Sequence, residues 1–75
     1  MKASKNVHVV PHDGHWDVVR EGSSRPISVH DEQEEAFAAG RAAAQRSHGE
    51  LLLHGTDGRI RERNSYGNDP YPPEG

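Results

Sequence analysis

Six histidines in seventy-five residues are the densest source of chemistry in this chain. His12 and His15 flank an Asp13-Gly14 pair, His8 precedes them on the same strand face, and His30 and His54 fall at the ends of other apolar runs. Zinc takes imidazole nitrogens readily, with four ligands in a structural site or three plus water in an open one. These spacings match no closed motif, and a strand-turn-strand pair needs a third ligand from elsewhere. No metal and no cofactor is therefore expected; if an ion is held, His8, His12 and His15 are the ligands to test. Catalysis finds less support. There is no cysteine, no glycine-rich phosphate loop and no nucleophile motif. His30 and Glu32 flank Asp31, but Asp31 reads better as a helix cap than as an acid–base partner. No enzymatic activity, no catalytic residue and no small-molecule substrate is expected.

Arginines form the second pattern. In "GRIRERN" the residues Arg59, Arg61 and Arg63 alternate, so a strand projects all three to one face and Ile60 and Glu62 to the other. Arg20 and Arg25 are candidates for the same surface. A sheet that carries arginines and is backed by a helix can enter a DNA groove, where the planar guanidinium fork suits phosphate or the edge of guanine. Nucleic acid is thus the leading specific partner. The plainer alternative pairs these arginines with Glu21, Glu50 or Glu62 across neighbouring strands, which blunts an exposed edge. Net charge of −3 argues against a general polyanion binder. Four acids crowd into "DEQEE", however, and without Asp31, Glu32, Glu34 and Glu35 the remainder is slightly positive.

The elements that must position these groups are readable from periodicity and turn chemistry. "NVHVVPH" and "HWDVVREG" are strands joined at Asp13-Gly14, where both residues tolerate the left-handed backbone of a tight hairpin. "RPISVH" is a third strand, with Pro26 at its start or on an edge. Asp31 caps a helix, with Glu34 three residues on as in a capping box. Phe37, Gly40 and Ala44 form its narrow inward stripe, Arg46 suits its negative end and Gly49 its stop. "ELLLHG" and "RIRERNSY" are the fourth and fifth strands, joined at Asp57-Gly58. The order β-β-β-α-β-β defines a small α+β domain over residues 1–66, a mostly antiparallel sheet with one helix on one face. Residues 67–75, rich in proline and tyrosine, form a tail.

One helix covers one face, yet the strands are apolar on both. Val10, Val19 and Leu52 alternate with the residues that face the helix, where a one-sided sheet would be polar. A second copy of the chain, the tail with Tyr66 and Tyr71, or another partner should cover that far side. The apolar fraction of 31% is low for a domain standing alone, and without cysteine no disulfide supports it. A homodimer is expected. No apolar run approaches the ~20 residues of a membrane span and the N-terminus lacks the apolar segment of a signal peptide. The expected location is cytoplasmic, with no membrane partner.

"HVVPHDGHWDVVREGSSR", a helix of the "EAFAAGRAAA" kind and "HGTDGRIRERNSYGNDPYPP" together resemble the bacterial domain of unknown function 2188 family, from His8 to Pro73. The most specific part is "DGRIRERNSYGNDP". The resemblance implies a stand-alone bacterial domain of about this length and brings no activity and no site residue with it. The combined expectation is a non-enzymatic binding or accessory module that contacts nucleic acid through its arginine strand. The alternative is a structural homo-oligomerisation or protein-interaction domain.

Overall fold

The alternating valines of the first two runs and the leucines of the fourth build one sheet, which a computed structural model describes over residues 5–67. The strands are β1 (Val7–His12), β2 (His15–Arg20), β3 (Pro26–His30), β4 (Glu50–His54) and β5 (Ile60–Ser65), with α1 (Gln33–Ser47) between β3 and β4. Their order in the sheet is β3-β2-β1-β4-β5. The β1–β2, β2–β3 and β4–β5 pairings are antiparallel, while β1 and β4 run parallel at the centre. The sheet is therefore mixed. A parallel pair needs a long crossover, and here β2, β3 and α1 together supply it.

Asp13 and Gly14 both adopt positive φ, 51° and 82°, so β1 and β2 close through the two-residue turn that these residues favour. The second hairpin differs. Gly58 alone is left-handed, and Gly55 pairs with Arg59 around a three-residue loop. Val7, Val9, Val18 and Leu51 are fully buried against Ala36, Ala43 and Ala44 of the helix. Gly40 lets the helix come close: a Cβ there would meet Leu51 Cδ1 and Val9 Cγ2, each at 2.9 Å. The small-residue stripe thus does pack on the sheet, widened by Ala36 and Ala43.

Both helix ends depart from the sequence reading. The N-cap is Glu32 rather than Asp31, and its side chain makes no capping hydrogen bond. Glu34 and Glu35 still lie in the first turn, at the positive end of the helix dipole. At the other end His48, not a glycine, takes the left-handed position at φ 57°. Gly49 serves a different purpose, since a Cβ there would collide with the backbone carbonyl of Lys5. The chain entering β1 crosses here, held by a hydrogen bond from Ser47 Oγ to Lys5 O at 2.7 Å. Pro26 opens the edge strand β3, as its missing N–H requires.

Candidate functional site: the helix-free face of the sheet

Val9 and Leu51 point to the helix, so their neighbours His8, Val10, Leu52 and His54 point away from it. The register sets His8 beside Val19 and Leu52, Val10 beside Asp17, and Leu52 beside Arg63. Leu52 is only 5% exposed on this side, although no helix covers it. Flanking side chains supply the cover. His8 and His54 lie against one another, tilted, with ring centroids 5.1 Å apart, and Arg63 is the partner of Leu52 on β5. Val10 and Val19 are half-buried. Towards the two edges the apolar surface opens, with Val29 on β3 51% exposed and Ile60 on β5 50% exposed.

Two polar clusters frame this apolar band. One is a chain of hydrogen bonds. Glu21 Oε1 lies 3.0 Å from His8 Nε2, His8 Nδ1 lies 2.9 Å from His54 Nε2, and His54 Nδ1 lies 3.0 Å from the Gly58 carbonyl. A carbonyl only accepts, so His54 donates from Nδ1, and the bond between the two rings is carried by a single proton between His8 Nδ1 and His54 Nε2. The Glu21 carboxylate also accepts. The His8 hydrogen bond, helped by one from Asn6, holds the Glu21 carboxyl below its ordinary value.

The other cluster lies at the β1–β2 turn, where His12 stands opposite His15. Asp17 follows two residues later on the same face, 9% exposed between Val10 and Val29. His12 Nδ1 is 3.2 Å from Asp17 Oδ2, and the two imidazoles meet edge to face at 5.7 Å. Asp17 Oδ1 is buried with no hydrogen-bond partner. An open concavity of about 480 Å³ lies beside the turn, lined by His12, Asp13, His15, Trp16 and Thr56 among others. That is more room than a chain of this length leads one to expect. His8 does not join His12 and His15, so the three ligands named from the sequence are not assembled. Asp17 stands in the place given to His8. Its signal in the sequence was a lone acid in the apolar run "HWDVV", two residues from His15.

The arginines do not make one stripe. A bulge falls between Leu53 and His54, which pair with Glu62 and Ile60 and leave Arg61 as the extra residue on β5. A bulge resets the alternation. Arg61 therefore lies with Trp16, Gln33 and Leu53 on the helix side, while Arg63 faces away beside Leu52 and pairs with Glu50 at 3.6 Å. Arg59 belongs to the turn, 3.9 Å from Asp57. Arg20 pairs with core-facing Val7, and Arg25 sits in the β2–β3 turn. Strands β2 and β5 are three strand spacings apart, roughly 14 Å. Tyr66 is also displaced from its expected position: it packs against the core on the helix side, its N–H bonded to Gly49 O at 2.9 Å. Tyr71 and most of the tail lie outside the described residues.

A five-stranded mixed sheet with one helix, an apolar helix-free face and two imidazole–carboxylate clusters defines a small α+β domain whose described chemistry lies at its surface. The family described as "Uncharacterized protein conserved in bacteria (DUF2188)" matches residues 7–66, and the chain belongs to it. No curated protein and no solved structure matches. Among the described residues no helix is long and apolar enough to cross a membrane.

Proposed function

We propose that this protein is a small binding or accessory module, without catalysis of its own, that acts as a homodimer through the helix-free face of its sheet. The observation that carries this is the apolar band running through Val10 and Val19 to Val29 and Ile60, whose two outer members are half exposed. A central apolar strip rimmed by polar groups is the usual anatomy of a protein interface. The rim holds both signs, with Glu21 and Glu50 set among imidazoles and Arg63. A two-fold axis lets such a surface meet itself. The low apolar fraction supports the same reading, because a second copy adds the burial that a short chain lacks. A cytoplasmic location belongs with this proposal, in keeping with the absence of cysteine.

Sedimentation of the full chain at micromolar concentration tests it. The expected result is a dimer that Val29→Lys with Ile60→Lys converts to a folded monomer. A wild-type chain that sediments as a monomer throughout overturns the reading. Nucleic acid is the second reading, favoured by the exposure of the Arg59 and Arg63 side chains, 87% and 63%. Retention of duplex DNA that falls steeply with salt, and is lost when Arg59, Arg61 and Arg63 become Ala, would put that function first.

A further inference from the structure

We propose that His12, His15 and Asp17 form a binding site for one divalent transition-metal cation of the zinc type, at the turn end of the helix-free face. One ligand atom from each residue lies within 4.8 Å of the others. A tetrahedral zinc ion with bonds of about 2.0–2.2 Å sets its ligands roughly 3.4 Å apart. Closing that difference takes modest rotations of His12, whose side chain is 63% exposed, and of the half-buried His15. The tight turn supplies the geometry, because His12 and His15 are opposite one another and Asp17 is the next residue on that face.

The independent observation is Asp17 itself. A carboxylate set between two valines is costly unless its oxygens are engaged. Oδ2 has only the exposed His12 imidazole, and Oδ1 is buried with no partner. A cation at Oδ2 neutralises the charge that no hydrogen bond reaches at Oδ1. The surroundings fit a ligating imidazole as well. When His12 Nδ1 faces the ion, its outer Nε2–H points towards Asp13, whose Oδ2 is 4.0 Å away, and carboxylates commonly orient metal-bound imidazoles in this way. Two nitrogens and one oxygen favour zinc, cobalt or nickel over magnesium and calcium, which prefer all-oxygen shells. The fourth position of a tetrahedral shell is left to water or to a donor from a bound partner.

The test uses the full chain without a histidine tag, stripped by chelator and titrated with Zn²⁺ alone. Trp16, the one tryptophan, follows His15 in β2 but faces the helix side, so calorimetry counts the bound ion and Trp16 fluorescence serves only as a second readout of changes at the turn. One zinc per chain is expected, with a rise in the thermal midpoint and no competition from Mg²⁺. His12→Gln and Asp17→Asn should each weaken binding at least about tenfold. His8→Gln and His54→Gln, which alter the other cluster, should leave affinity unchanged. If Asp17→Asn does not fold, His12→Gln with His15→Gln decides, since neither residue belongs to the core. No saturable zinc binding by the wild type, binding that survives loss of both His12 and His15, or equal loss in the His8 and His54 variants each overturns the site.

Discussion

Glu21 and His8 show how much one exposed contact can report. The hydrogen bond from His8 lowers the Glu21 pKa, so the carboxylate form is favoured in the folded chain. A depressed carboxyl contributes stability above its unfolded value of 4.5, and that contribution is lost as pH falls through the lowered folded value. Glu21→Gln should therefore melt below the wild type near neutrality, and the gap in thermal midpoint should close as the solution is acidified past that window. The effect is small because the pair faces solvent. A gap that stays constant down to acid pH would show that Glu21 acts by shape alone.

His48 offers a second test at this scale. A side chain in the left-handed region costs roughly 1–2 kcal/mol, whereas glycine there loses roughly 0.5–1 kcal/mol of chain entropy. His48→Gly should accordingly raise stability by about 0.5–1 kcal/mol in urea unfolding. The sequence showed Gly49 and suggested the stop there. It could not show that Gly49 is needed for the approach of Lys5, which leaves the residue before it to make the turn.

Among the elements, α1 is governed by closeness. Gly40→Ala adds helix propensity worth about 1 kcal/mol, but it also drives a methyl into Leu51 and Val9, both fully buried. Overpacking of this kind costs about 1–3 kcal/mol, and Val9 is stiff at its β-branch. The clash should win, with a net loss of about 1 kcal/mol in urea denaturation. A more stable variant would mean that the helix has slack against the sheet. The strand β5 teaches the opposite lesson about pattern. Its alternating arginines were plain in the sequence, and one bulge was enough to send Arg61 and Arg63 to different faces. Alternation predicts a shared face only while the register holds.

For the whole molecule the question is what lies over Val10, Val19 and Leu52. Their apolar character was read from alternation, and all three do face away from the helix. Leu52 nevertheless finds cover within its own chain, beside the His8–His54 pair, so the open surface is narrower than the sequence suggests. The exposed large apolar side chains lie at the two edges, Ile27 and Val29 on β3 and Ile60 on β5. This is why the dimer test places lysines there and not at the centre of the face, where a substitution would disturb packing as well as association.

Strand and helix order, the Asp13-Gly14 hairpin, the edge position of Pro26 and the two-sided apolar pattern were all determined by the sequence alone. Each depends on residues no more than a few positions apart, through turn geometry or side-chain period. The pairing of β1 with β4, the turn of Tyr66 into the core, the division of the arginines and the meeting of Asp17 with His12 and His15 were decided only by tertiary structure. They depend on register and on which strands lie side by side, and neither is encoded in any short stretch of chain.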